Sequence, residues 1–310
     1  MTMAPRSWRL RWGDVDIGGS MRAMGRREFL GAAAAGALAL AGCTSQPRPQ
    51  PTSSPSGTSA TGPATSPAAA PQTSPPSPGT PAEMLARATV PMLCYHRIRE
   101  FTEQDGPASR SLTCPPELLE RHLRTLTGAG LQPVSSTQLV DHVEFGTTLP
   151  PRPVVISFDD ASAGHFTNAL PILQRLSMPA IFFVMTVVLD KPDWLSRDQV
   201  HQLDRAGMTI GVHTWDHHPV TGYGDADWAT QLQAPKTELE QIVGHGLDLF
   251  AYPYGAWNTA ALPHVQQAGY RAAFQLSDQP VDPQQPLLAL RRLLMSSDWD
   301  EQALLSRLPA

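Results

Sequence analysis

Residues 153–185 read PVVISFDDASAGHFTNALPILQRLSMPAIFFVM. Val154–Phe158 is a short run that is apolar on both faces, as a strand buried on both sides has to be. Phe166–Leu176 then carries helical spacing, and Ala180–Met185 returns to a two-sided apolar run. Strand, helix and strand in this order imply parallel strands joined by a helical crossover. The pattern extends in both directions. Val90–Tyr95, Thr209–Val212, Leu247–Tyr252 and Tyr270–Leu276 read as further buried strands. Pro116–Ala129, Ser196–Ala206, Asp225–Val243 and Thr259–Ala268 read as helices, several closed by a glycine (Gly130, Gly207, Gly244, Gly269), the expected C-terminal stop. About six or seven such units predict an α/β fold, a closed or nearly closed (β/α) barrel, with an open doubly wound sheet as the alternative. Either architecture collects ligands at the C-terminal ends of its strands.

The rest of the chain has a different character. Of 310 residues 31 are Pro and only 3 are Cys, which excludes a disulfide-stapled miniprotein and a four-thiolate zinc site. No apolar run is long enough for a polytopic membrane protein. Residues 1–43 carry Arg26-Arg27, then Phe29-Leu30, an Ala/Leu/Gly run and Leu40-Ala41-Gly42-Cys43. That order predicts a secretory signal of twin-arginine type ending in a lipobox, with Cys43 as the lipidation site. Residues 44–88 hold about a third of the prolines and no aromatic residue, and are expected to form a disordered Pro/Ser/Thr-rich linker. The expected location is outside the cell, on the outer face of a bacterial membrane, held there by a lipid anchor. Residues 89–310 form the expected folded domain, with 15 basic against 24 acidic side chains, a net of −9. This balance argues against nucleic acid as a partner. Cys94 and Cys114 could pair outside the cytoplasm or remain two buried free thiols.

Residues with chemical potential stand at the strand ends. Val154–Phe158 runs into Asp159-Asp160, where one carboxylate could bind a metal and the other act as a base. A helix N-cap is the plainer reading of the pair taken alone. Thr209–Val212 runs into His213-Thr214-Trp215-Asp216-His217-His218. The four-residue spacing places the His213 and His217 imidazoles on one side of a helical turn, and His218 elsewhere. Two histidines and one carboxylate make a zinc set that leaves room for water. Leu247–Ala251 runs into the turn Tyr252-Pro253-Tyr254-Gly255.

Ser157-Phe158-Asp159-Asp160, then His213-Thr214-x-x-His217, then Phe250-Ala251-Tyr252-Pro253-Tyr254-Gly255 resemble the three ordered motifs of the polysaccharide deacetylases with the NodB homology domain, carbohydrate esterase family 4. The opening Pro91-Met92-Leu93-Cys94-Tyr95-His96-Arg97-Ile98 is similar to the branch acting on poly-N-acetylglucosamine. The resemblance implies a distorted (β/α) barrel of about seven parallel strands. It also implies Asp160, His213 and His217 as ligands of Zn2+ or another divalent transition metal, and Asp159 as general base. Pro253 and the Tyr254 backbone N–H would bind the substrate and the oxyanion. The sequence departs from the pattern at three places. Ala161 stands where Gly is usual, so a positive φ there carries a steric cost. Ala251 stands where an Arg normally orients the base, a charge that Arg291 or Arg292 could supply. The late Leu-x-His motif is missing, so the general acid falls to His96, for which a core histidine bonded to a backbone carbonyl is the plainer alternative.

The expected activity is thus removal of N-acetyl groups from N-acetylglucosamine residues of an acetylated glycan polymer, poly-N-acetylglucosamine or peptidoglycan. An O-acetyl esterase with the same site and a non-catalytic glycan-binding lipoprotein, suggested by Ala161 and Ala251, are the alternatives. A two-histidine, one-carboxylate iron oxygenase shares the ligands but suits the doubled Asp less well.

Overall fold

The structure, a computed structural model, describes residues 77–276 and 279–309. The expected signal, its lipidation site Cys43 and the linker up to residue 76 lie outside the described residues. Among those described, no helix is long and apolar enough to cross a membrane.

The predicted strands form one sheet, with the order Leu290–Arg291, Ala272–Gln275, Leu249–Ala251, Thr209–Val212, Ile181–Val184, Pro153–Phe158, Met92–Tyr95, Leu293–Leu294. Every pairing along it is parallel. Leu290–Arg291 and Leu293–Leu294 are two halves of one late segment, and each half pairs with a different edge of the sheet. That segment draws the two edges together around Arg292, giving the barrel rather than the open sheet. Gln132–Pro133 adds a short strand beside Pro153–Phe158.

Residues of opposite parity fall into two apolar layers, as strand geometry requires. Leu93, Tyr95, Ile156, Phe158, Phe182 and Val184 pack outward against the helices. Met92, Val155, Ile181, Phe183, Leu249 and Phe274 fill the interior. Helix Ser136–Phe145, started by a Ser135/Gln138 capping box, brings Leu139, Val140 and Val143 into the interior layer. Its packing beside Met92 and Val155, near the strand starts, leaves the C-terminal ends free for a site.

Three expectations change. The linker reading reached residue 88, but Pro81–Arg87 is a helix, with a Thr80/Glu83 capping box and Pro at its start. Arg87 ties it down through the carbonyls of Val143 and Glu144. The runs Phe166–Leu176 and Asp225–Val243 are not uninterrupted α-helices. His165–Ala169 and Ala229–Gln233 are π turns, in which the Leu170 and Ala234 N–H groups reach back to the carbonyls of His165 and Ala229. A proline, Pro171 or Pro235, follows each turn after one intervening residue. Proline has no N–H for the carbonyl four residues back and its ring crowds it, so the wider turn accommodates what an α turn would not. Last, Cys94 and Cys114 are both buried and free, so the disulfide alternative does not hold.

Candidate functional site

Strand Pro153–Phe158 ends by turning sharply. Asp159 keeps the barrel-inward direction of Val155 and is buried, while Asp160 (φ 81°) and Ala161 (φ 72°) both take left-handed backbone. The strain expected of Ala161 is therefore present, and neighbouring backbone holds the turn: Leu195 N–H donates to the Ala161 carbonyl and Ala163 N–H to that of Asp193. We expect Ala161→Gly to stabilise the domain by about 0.5–1 kcal/mol, the left-handed penalty less the entropy that glycine adds to the unfolded chain. Thermal denaturation checks this, and an unchanged or lower melting temperature would contradict it.

Thr209–Val212 delivers His213 to the same end. The His213–His217 segment is not the helical turn that its spacing suggested. It is a bend with Thr214 (φ 66°) and His217 (φ 67°) left-handed, and the Thr214 hydroxyl accepts the His217 N–H at 3.0 Å. The two imidazoles still converge, with ring centroids 4.8 Å apart. His213 Nδ1 lies 2.8 Å from the Ala251 carbonyl, which can only accept, so Nδ1 carries the hydrogen and Nε2 faces Asp160. Position 251 thus contributes through its backbone, and the alanine found there does not disturb the contact.

Asp160 Oδ1 is 3.4 Å from His213 Nε2 and 3.5 Å from His217 Nε2. Asp160 Oδ1 and His213 Nε2 are buried atoms without a hydrogen-bond partner among the described residues. Burial opposes charge at Asp160, but the three histidines around it outweigh that and hold its carboxyl well below the usual range. Burial lowers His217 to about 4, keeping it neutral, while the two carboxylates beside His213 overcome its burial and raise it. An acidic oxygen and two imidazole nitrogens, gathered within 4.8 Å and short of partners, are the donor set of a divalent transition metal. The residues present fit such an ion.

Asp159 lies beside this trio, its Oδ2 3.9 Å from His213 Nε2. The missing arginine of the third motif is replaced in space by Arg292. Its guanidinium grips both Asp159 oxygens, at 2.6 and 2.7 Å, from the break in the closing strand. Both side chains are almost fully buried, and Arg292 also lies over the Phe183 ring at 5.1 Å. Burial alone would raise the Asp159 pKa, yet Arg292 and His213 bring it down to about 2. Arg291 is exposed and makes no such contact.

His96 follows Met92–Tyr95, and its ring comes within 4.8 Å of Asp159 and the buried Cys94 thiol. Its Nδ1 is buried with no partner among the described residues, which disfavours the reading as a core histidine bonded to a carbonyl. Burial lowers its pKa, with the two aspartates opposing. Tyr254 (φ 57°) sits in the turn Pro253–Gly255 with its ring edge-on to His217 at 4.3 Å, and no acceptor takes its N–H among the described residues. Pro253 is buried. Tyr254 and Trp215 are about two-fifths exposed, two large apolar surfaces at the margin of the site. His218 turns away and stacks on Tyr223.

Two residues here escaped the sequence reading. Gln231, in the second π turn, accepts the Trp215 N–H and donates to Asp216. His165, in the first, binds the His96 carbonyl. The signal for both was a helical run interrupted by proline.

The fold and the site define a barrel domain with a buried carboxylate and a set of metal-type donors gathered at its strand ends. Residues 146–273 match the polysaccharide deacetylase family model. YxkH of Bacillus subtilis, named for the same family, is 22% identical over 209 residues, covering 67% of this chain and 72% of its own. A poly-beta-1,6-N-acetyl-D-glucosamine N-deacetylase of Staphylococcus aureus is 27% identical over 163 residues, 48% of this chain and 56% of its own. The chain thus spans little more than half the length of the staphylococcal relative. The Streptococcus pyogenes deacetylase PplD, solved with acetate, superposes with a TM-score of 0.66 at 21% identity, over 71% of this chain and 98% of that one. IcaB from Ammonifex degensii gives 0.60 at 20% identity, over 70% and 95%. At these identities the two solved structures speak for the fold.

Proposed function

We propose that this chain is a metal-dependent N-deacetylase acting on N-acetylglucosamine residues of an extracellular or cell-wall polysaccharide, poly-N-acetylglucosamine or peptidoglycan. The observation that carries the reading is the convergence of Asp160, His213 and His217 beside an Asp159 carboxylate clamped by Arg292. The staphylococcal relative, named for poly-N-acetylglucosamine, favours that polymer. Asp160, His213 and His217 would hold the cation, for which zinc suits two imidazoles and one carboxylate. A divalent cation bound there would polarise the acetamide carbonyl and acidify water, which is what a base as weak as Asp159 requires.

This chain's own residues account for the rest. Arg292 keeps Asp159 ionised at any neutral pH, so it is free to take the proton as water attacks the carbonyl carbon. The Tyr254 N–H is a donor for the negative charge that gathers on the carbonyl oxygen. The C–N bond breaks as His96 gives a proton to the leaving amine, and acetate and a glucosamine unit are released. His96 must be charged for this step; burial opposes that charge and the two aspartates beside it favour it. The exposed faces of Trp215 and Tyr254 offer apolar surface to sugar rings. We further propose that the domain works outside the cell, exported through the Arg26-Arg27 signal and anchored by lipid on Cys43.

His213→Ala is expected to lower bound zinc from about one equivalent to about a tenth or less, since one of three protein ligands is lost. Metal analysis after dialysis checks this, and full zinc retention would contradict the ligand assignment. The activity itself is tested by acetate release from β-1,6-linked N-acetylglucosamine oligomers, peptidoglycan fragments and O-acetylated xylan. Release from the xylan alone would make the protein an esterase. Saturable binding to an oligomer without any acetate would make it a binding protein.

A further inference from the structure

The first π turn is docked against the backbone that carries His96. His165 Nε2 is 2.5 Å from the His96 carbonyl oxygen and Asn168 Nδ2 is 2.7 Å from that of Ile98. Gly164, just before the turn, lies so close that a Cβ there would sit 2.1 Å from the Ile98 oxygen. On its other side the segment pairs with Thr113–Cys114 through Arg97–Ile98. Carbonyl oxygens only accept, so His165 Nε2 must carry the hydrogen. His165 is itself fully buried, packed against the stacked pair of Phe158 and Phe182 at 5.5 Å from each ring. Its Nδ1 has no partner among the described residues. Leaving a polar nitrogen unpaired in an aromatic layer is costly, so an apolar residue of similar shape would suit the packing better. That cost points to the other nitrogen. The wider turn sets His165 and Asn168 on one side, three residues apart, facing two carbonyls that flank the His96–Ile98 backbone.

We infer that His165, supported by Asn168 and Gly164, is a positioning residue that fixes the backbone of His96 and so aims its imidazole at the leaving amine. This rests on the reading of His96 as general acid. A residue that acts through the acid matters where the leaving group needs a proton and little where it does not. An acetamide releases an amine that must be protonated, whereas an activated aryl acetate releases a stable phenolate.

The test compares His165→Leu, His165→Gln and His96→Asn in the full-length, zinc-loaded protein, on an N-acetylglucosamine oligomer and on 4-nitrophenyl acetate. We expect His165→Leu to lower kcat on the oligomer about 100-fold with KM changed less than about twofold, the loss typical of a group displaced by an ångström. On the aryl ester the fall should be less than about threefold, because general acid catalysis has little to contribute there. His165→Gln, whose amide can still donate, should recover most of the oligomer activity. A loss equal on both substrates, or no rescue by Gln, would show a merely structural role and overturn the inference. If His96→Asn shows the selective loss and His165→Leu does not, the inference fails and the acid reading stands. If His96→Asn shows no selective loss, the acid reading itself fails and the inference with it. A crystal structure of His165→Leu gives a readout independent of turnover: the His96–Ile98 backbone should shift while Asp160, His213 and His217 stay in place. An unmoved His96 would overturn the inference.

Discussion

Exchange of Asp159 for Asn should reduce acetate release by about 10³-fold, within the 10²–10⁴ that a positioned general base supplies. The expectation is strong because Asp159 is the carboxylate in the site that no cation would need. Asp160 is spoken for by His213 and His217, while Asp159 faces the same space from its place on Arg292. Asparagine keeps the shape but cannot take the proton, so KM should change little and kcat should carry the loss. Zinc content should stay near one equivalent. Steady-state kinetics with metal analysis on the same preparation checks both statements. A variant that keeps zinc and more than about a tenth of its turnover would remove Asp159 from the base role, since general base catalysis is worth at least tenfold more.

Exchange of Arg292 for Met should have the largest effect on stability. Asp159 and Arg292 are a fully buried pair with two-pronged geometry, and removing one partner strands the other's charge in the barrel interior. Such a break costs about 3–5 kcal/mol, on the order of 10 °C in melting temperature for a domain of this size. Without the guanidinium, burial would also raise the Asp159 pKa, so the base would be lost together with the stability. The double variant Asp159→Asn, Arg292→Met removes both charges and should recover much of the melting temperature but none of the activity. Thermal denaturation of the four proteins checks this. A single variant as stable as the parent would contradict the account of the pair.

The pair also shows where the sequence stopped being legible. The strands could be read because parallel strands inside a barrel are apolar on both faces, and this is visible in Val154–Phe158 or Ala180–Met185 without knowledge of their neighbours. The trio of ligand-type residues could be read because each follows such a run. Arg292 offered less. Leu290-Arg291-Arg292-Leu293-Leu294 names two arginines, and only the closing of the barrel, with one half of the segment on each edge, turns Arg292 inward and leaves Arg291 outside. The left-handed residue at Ala161 was legible from the glycine usual there, but those at Asp160, Thr214 and His217 were harder still, because tertiary contacts override what those residue types prefer. The π turns were hidden because Leu170-Pro171 and Ala234-Pro235 begin helical runs as well as they interrupt them. His165 and Gln231 went with them, since each acts on a strand or loop far away in the chain.

The central claim is that Asp160, His213 and His217 bind a metal on which hydrolysis of an N-acetyl group depends. Its most direct test is acetate released from a β-1,6-linked N-acetylglucosamine oligomer by the full-length protein with zinc at one equivalent, after chelation, and after zinc is returned. The account predicts release that disappears with chelation, returns with zinc, and stays absent in the Asp159→Asn protein throughout. Release that survives removal of the metal would contradict it.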